Sequence, residues 1–471
     1  MILGALFGFF GYNDPVAGDK QVDECMTVYC YNSAQDTDNE KFIHYIGAIM
    51  SIENADTLAN STNPAPAENH ASAENQGIVI VGAGLAGWHV IDAIRAKDKD
   101  IAITLITADN GDRYHKPMLT MAISQNKRAA DLVRATGADA AKAANVNLLA
   151  NTQVTDVDAT TQQLQLVSAL RSDPVYTNYA TISYDKLVLA MGAQPIFPKS
   201  LPEDLVWHVN HIERFGQLQE KLAAGSQHVA IVGAGMVGTE IAEDLLKAGH
   251  EVTLIDLNDA PLSQMLPAKA SARIAAAVQS QGIHFLGGYQ VTGVTRQEDG
   301  RLHVRYAPVA GSADSAAAQS SEPLVVDHVI ASTGLTVDAR LPTAAGVEFD
   351  RRTGIVVDAT TLRTQASNIY AIGDCMSING VACRYVAPLR AQAATIADDI
   401  LGVAHDGYDH KPPMIRLKNK AISVMATGVP QATGNWQVKT DTDDALIMDL
   451  LDDNNDVSAT VTIKAPPMVK P

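Results

Sequence analysis

Two short glycine-rich stretches, 151 residues apart, constrain this chain more than any other feature. Gly82-Ala83-Gly84-Leu85-Ala86-Gly87 follows the β-branched run Ile78-Val79-Ile80-Val81 and precedes a helix-like segment. Gly233-Ala234-Gly235-Met236-Val237-Gly238 follows HVAIV and precedes another. Each unit then enters a second apolar run, IAITLIT at 101–107 and VTLID ending at Asp256. The order strand, turn, helix, strand gives each glycine a task. The first permits a tight turn, the second lets the backbone approach a pyrophosphate, and the third lets helix and strand pack closely. The helix N-terminus then offers unpaired N–H groups and the positive end of its dipole to the phosphates. One such match is weak evidence; two in the same context predict a repeated dinucleotide-binding unit and an α/β fold.

The two units differ after their second strand. Asp256 stands 18 residues beyond Gly238, where a carboxylate accepts both ribose hydroxyls and repels a 2′-phosphate. The residues that follow, Leu257-Asn258-Asp259, supply no arginine. The second site is therefore expected to prefer NADH to NADPH. In the first unit the same place is Thr107, and Asp109 two residues on is the ribose candidate.

At 471 residues the chain has room for two to four domains. Its net charge of −18 argues against a nucleic-acid partner, which calls for a basic stripe. Residues 1–76 hold 11 acidic side chains against two lysines. Residues 51–76 are rich in Ala, Asn, Ser, Glu and Pro, a composition expected to stay disordered. We read 1–76 as a disordered or degenerate extension. Its apolar opening is 12 residues long, short of the ~18 a membrane helix needs. A cytoplasmic protein without membrane insertion is expected. Of the four cysteines, none lies between Cys30 and Cys375, and no Cys-x-x-Cys occurs. Cys25 and Cys30 alone do not make a rubredoxin-like iron centre, which needs four thiolates. No metal site is assigned.

Three further apolar runs end in glycine: LVLAMGA at 187–193, VIASTG at 329–334 and NIYAIGDC at 368–375. The last puts the Asp374 carboxylate at a strand end, where a polyol hydroxyl can bind. With ITADNGDRYHKPMLTMAIS, YDKLVLAMGAQP, VTLIDLNDAPLSQMLPA and YVAPL, these runs carry a resemblance over about Gly77 to Trp436. The chain resembles the FAD- and NAD-dependent disulfide-reductase-like flavoproteins, and within them the rubredoxin–NAD reductases.

The resemblance implies a glutathione-reductase-like α/β fold. Two Rossmann-like domains bind FAD and NADH, and a small C-terminal α+β domain follows. The implied segments are 77–195 and 325–405 for FAD, 196–324 for NAD and 406–471 for the last domain. For FAD it implies Gly82, Ala83, Gly84, Leu85, Ala86, Gly87, Asp109, Val154, Gly192, Asp374, Val386 and Lys418, with Lys116 and Pro117 beside the flavin ring. For NAD it implies Gly233, Gly235, Met236, Val237, Gly238, Glu240, Asp256 and Gly334. Tyr385-Val386-Ala387-Pro388-Leu389 reads as a helix start with an early proline, whose dipole, with Lys116, would stabilise negative charge at flavin N1/O2. No acid/base residue is needed, and without a thiol relay electrons must leave the flavin directly. The implied partner is rubredoxin, feeding an alkane hydroxylase. Arg416, Lys418 and Lys420 are expected as a positive rim for that acidic carrier, and the protein as a monomer or weak dimer. Other readings are a flavorubredoxin reductase, an NADH oxidase and an NADH-sensing flavoprotein.

Overall fold

The computed structural model describes residues 77–169, 180–309, 322–412 and 414–465. The expected extension at 1–76, with Cys25 and Cys30, lies outside them.

The chain opens with β1 (Ile78–Val81), α1 (Leu85–Arg95), β2 (Ile103–Ile106), β3 (Asn147–Leu149) and β4 (Lys186–Leu189). It continues through β5 (His228–Val232), α2 (Met236–Lys247), β6 (Glu251–Asp256), β7 (His284–Gly287) and β8 (His328–Ala331). It then returns with β9 (Ile369–Ala371) and α3 (Leu389–Ile400). All four residues of β1 are buried, as are all four of β2. Such continuous apolar runs suit parallel strands covered on both faces.

The first sheet has the order β9-β4-β1-β2-β3 and the second β7-β6-β5-β8, both parallel. In each, the first strand lies between its successor and a much later strand. The direction of winding therefore reverses beside β1 and beside β5. The crevice this opens at the carboxyl ends of the strands is where such sheets take ligands, and both glycine turns lie there. Two antiparallel two-residue strands, Gln194–Pro195 and Leu335–Thr336, connect the domains. The middle domain extends past the expected boundary at 325. The apolar run at 328–331 hydrogen-bonds in parallel with β5, so the chain leaves that domain near Leu335.

The C-terminal segment forms β10 (Ile415–Leu417), β11 (Ser423–Gly428), β12 (Asn435–Asp441), β13 (Ala445–Leu451) and β14 (Val457–Lys464). They make one antiparallel sheet of order β10-β11-β14-β13-β12. Among the described residues from 406 onward there is no helix, which corrects the expected α+β domain. Strict alternation, as in Leu446, Met448 and Leu450, buries one face. That face shares a core with Ile241, Leu245, Ile274 and Val278 of the middle domain. Leu119, Ala122 and Leu132 join the same core, although they lie in the expected first FAD segment. The stretch after Lys116 is thus a strap that leaves the first domain to pack against the other two.

Three histidines record how tightly the middle domain is packed. Burial pushes His208 down to about 4, with Arg214, His211 and Lys116 adding to it. Burial also lowers His250 and His328. Each is neutral in the fold and titrates near 6.5 when unfolded. Their contribution is full above about pH 6.5 and is lost as pH falls toward the folded values. The thermal unfolding midpoint should be level between about pH 8 and 7 and fall from about 6.5 to 5, with a smaller fall in His328→Asn. A midpoint constant across the lower interval would contradict this.

Candidate functional site

The two turns repeat one construction. Gly82 has φ +109° and Gly233 has φ +107°, conformations that favour glycine. A Cβ on Gly87 would overlap the carbonyl of Gly82, and one on Gly238 the carbonyl of Gly233. These glycines are required by the fold itself. The middle ones are not. Nothing lies within 4 Å of a Cβ built on Gly84 or on Gly235, and their φ values of −72° and −70° suit any residue. Their lack of a side chain serves only the open space above them, as a backbone approaching a pyrophosphate requires.

Above Gly84 lies a cavity of about 630 Å³. Ala83, Gly84 and Leu85 line it at the N-terminus of α1, and Val386 and Ala387 at the N-terminus of α3. Two helix dipoles thus present their positive ends to one space. Lys116, Arg113, Arg134, Arg390, His89 and His115 line it too, against Asp92 and Asp112. Arg113 is bound to Asp92 and lies 4.9 Å over the Trp88 ring. Burial lowers His89 and His115, and neighbouring arginines add to the effect. The cavity is therefore built for an anion. Sequence reasoning found Lys116 but missed Arg134, Arg390 and the histidines, which only the folded chain gathers.

Asp374 sits in the turn Gly373–Cys375. Gly373 fits between Ala86 of α1 and Leu389 of α3, where a Cβ would come within 3.0 Å and 3.3 Å of their side chains. Burial pulls the Lys116 ammonium below the usual lysine range, and Asp374 opposes it. Gly192, at φ +66°, also faces open space. Ala86 and Gly87 belong to helix packing. Val154 is buried in the strand Thr152–Asp158 at a bulge.

Asp109 is turned elsewhere. It accepts hydrogen bonds from Thr107 (2.6 Å), the Gly111 amide (2.9 Å) and His211 Nε2 (2.9 Å), and it is not in the cavity wall. Burial works against its charge, yet these donors together hold it below the usual carboxylate range.

In the second unit, Val237 and Leu257 are exposed beside Gly235 and Asp256, and Gly334 turns at φ +101°. Met236 and Gly238 belong to α2. Glu240, four residues into that helix's run, is buried and joins three domains. It accepts from Thr120 Oγ1 (2.6 Å), the Lys418 amide (3.0 Å) and Lys418 Nζ (2.8 Å). Lys418 Nζ also donates to the Pro117 carbonyl at 3.0 Å. Pro117, Glu240 and Lys418, expected at two cofactors, thus meet at one point. This corrects the expected basic rim: Lys418 points inward, and only Arg416 and Lys420 are exposed. Asp244, which sequence reasoning passed over, accepts from the Ile123 amide (2.9 Å) and from Ser124 Oγ (2.5 Å).

A family model described as pyridine nucleotide-disulphide oxidoreductase matches residues 76–397. The chain belongs to the pyridine nucleotide-disulphide oxidoreductase family. It is an oxidoreductase of that family, whose cofactors are FAD and NAD(H). It is 32% identical over 370 residues to the nitric oxide reductase FlRd-NAD(+) reductase of Escherichia coli O9:H4 (strain HS), covering 78% of this chain and 90% of the relative. The protein of that name from Shigella dysenteriae serotype 1 (strain Sd197) matches to the same extent. Among solved structures, putidaredoxin reductase in its covalent complex with putidaredoxin is 25% identical, with a TM-score of 0.71 over 83% of this chain and 90% of that one. NADH:rubredoxin oxidoreductase from Clostridium acetobutylicum shares the fold, at 20% identity and a TM-score of 0.65 over 83% and 92%.

The glycines make a direct test. Gly87→Ala should destabilise the protein by about 1–3 kcal/mol through overpacking, while Gly84→Val should leave the ligand-free unfolding midpoint within a degree or so of the parent. Equal losses in thermal unfolding would contradict the division into structural and ligand-facing glycines.

Proposed function

We propose that this protein carries electrons from NADH through FAD to a rubredoxin-type iron carrier. The observation that carries the reading is the pair of open glycine cradles, tied together through the Glu240–Lys418–Pro117 junction. When bound, FAD accepts a hydride from NADH and releases its electrons singly. The turn at Gly82–Gly87 and the N-terminus of α1 hold the FAD pyrophosphate, with Arg134 and Arg390 as counter-charges. Asp374 takes a ribitol hydroxyl. Lys116 and Pro117 stand beside the ring, and the α3 dipole with Lys116 offsets negative charge at N1/O2. Gly192, Val154 and Val386 complete that site, Lys418 borders it through its bond to the Pro117 carbonyl, and Asp109 is held by His211 rather than touching the ribose.

For the donor, the Gly233–Gly238 turn holds the NADH pyrophosphate, Asp256 the ribose, and Glu240 and Gly334 the side toward the nicotinamide. Asp256 with no arginine beside it supports NADH over NADPH. The cysteines support direct electron exit. Burial pushes the Cys375 thiol up to about 11 and raises Cys383 as well, so neither is a ready nucleophile. Arg416 and Lys420 remain exposed to steer an acidic carrier. The reading extends to a cytoplasmic monomer or weak dimer.

A second reading differs in the partner. The Escherichia coli and Shigella relatives are named for the flavorubredoxin of a nitric oxide reductase, and this favours a rubredoxin domain within a flavorubredoxin over a free carrier feeding an alkane hydroxylase.

Steady-state NADH oxidation with rubredoxin, flavorubredoxin, a [2Fe–2S] ferredoxin, or oxygen alone tests the proposal. A rubredoxin-type centre should give the highest rate, by about tenfold or more. Higher turnover with flavorubredoxin than with rubredoxin would select the second reading, and fastest turnover with oxygen alone would overturn both. Gly235→Val should keep its flavin yet lose NAD⁺ binding, measured by calorimetry; unchanged binding would contradict the placement of the donor.

A further inference from the structure

Asp256 has less room for a ribose than its position suggests. Its Oδ2 accepts the Ala234 amide at 2.5 Å. Its Oδ1 accepts two donors from one residue, the Asn258 amide at 2.8 Å and Asn258 Nδ2 at 2.7 Å. A carboxylate offers about four lone-pair positions. Three are taken, and the one left is on Oδ2. A ribose diol brings two hydroxyls and needs an acceptor position on each oxygen.

The backbone donors cannot make way. Ala234 lies in the glycine turn, and its carbonyl is held by the Leu262 amide at 3.0 Å. The Asn258 carbonyl accepts the Gly288 amide at 3.0 Å. The next residue is pinned as well, since a Cβ on Gly287 would come within 2.6 Å of the Asp259 carbonyl. Only the Asn258 side chain can rotate away without moving the chain. It is half-exposed and lies next to the exposed Leu257, so its amide can turn to water.

We propose that Asn258 sets the strength and selectivity of nucleotide binding: its side-chain amide holds the second ribose position on Asp256 and is displaced when NADH binds. The inference rests on the second turn being the NADH site. Each binding event exchanges the Asn258 bond for a ribose bond, so NADH gains less from Asp256 than from an unoccupied carboxylate. A 2′-phosphate, which cannot use the carboxylate, does not meet this competition. Asn258 therefore lowers NADH affinity selectively and narrows the preference over NADPH. The two backbone donors keep Asp256 oriented when the side chain is gone, so truncation removes the competitor and leaves the acceptor in place.

The test is calorimetric titration of the flavin-loaded oxidised protein with NAD⁺, NADP⁺ and 2′-deoxyadenosine and 3′-deoxyadenosine analogues of NAD⁺. Asn258→Ala should lower the Kd for NAD⁺ by about threefold to tenfold, the equivalent of one neutral hydrogen bond, and leave that for NADP⁺ unchanged. Asn258→Ser, with a shorter donor, should fall between. At least one deoxy analogue should lose more affinity, relative to NAD⁺, in Asn258→Ala than in the parent. An unchanged or raised Kd for NAD⁺ in both variants, at an unaltered unfolding midpoint, would overturn the proposal. If NAD⁺ fails to bind the parent, or binds Gly235→Val equally well, the site assignment itself fails instead.

Discussion

Three buried carboxylates on one helix hold the machine together. Glu240, Glu243 and Asp244 of α2 are each less than a tenth exposed, and burying a carboxylate is costly unless donors replace the lost water. Here all but one of the donors come from other domains. Glu240 is satisfied by Thr120 of the strap and by Lys418. Glu243 takes the Lys420 amide and its helical neighbour Lys247. Asp244 takes Ile123 and Ser124, and burial still raises it above the usual carboxylate range despite those bonds. None of the three can be separated from its donors cheaply. The helix that begins at the Gly235 turn, the strap that begins at Lys116 and the C-terminal sheet are therefore fixed in one frame. Lys116 and the second glycine turn keep their relation through these bonds and a shared apolar core.

The two nucleotide units use the same backbone and different side chains. Both need glycine at the first and third turn positions for reasons internal to the fold, and both leave the middle position open. They part at the carboxylate. Asp109 accepts from Thr107 and Gly111 on Oδ1 and from His211 on Oδ2, and so ties the loop after β2 to the middle domain. Asp256 also accepts three, but one of its donors is the displaceable Asn258 side chain. The first unit instead surrounds its cavity with arginines, histidines and two helix N-termini. Many fixed charges suit a ligand that stays, and one adjustable hydrogen bond suits a ligand that comes and goes.

The fold was largely legible in the sequence because its signals are local. A glycine turn between an apolar strand and a helix carries its own geometry, and IVIV and HVAIV can hardly be anything but buried parallel strands. What escaped depends on contacts distant in the chain. Glu240 reads as an acid of the NAD site, and only Thr120, 120 residues before it, and Lys418, 178 residues on, turn it into a buried junction. Lys418 itself reads as part of a basic stripe with Arg416 and Lys420, but β10 ends at Leu417 and the Lys418 amine turns in to Glu240 and the Pro117 carbonyl. The boundary at 325 missed β8 because an apolar run does not declare which sheet it joins. Arg134 and Arg390 lie in unremarkable polar stretches, and their shared cavity exists only after folding.

Electron transfer by this protein requires that the two cradles hold a flavin and its hydride donor in productive contact. The most direct measurement is an anaerobic titration of the purified protein with NADH, followed by the visible absorbance of the flavin. The protein should be yellow, bleached stoichiometrically by NADH and far less readily by NADPH. A protein that cannot be loaded with flavin, or whose bound flavin keeps its colour in excess NADH, would contradict this.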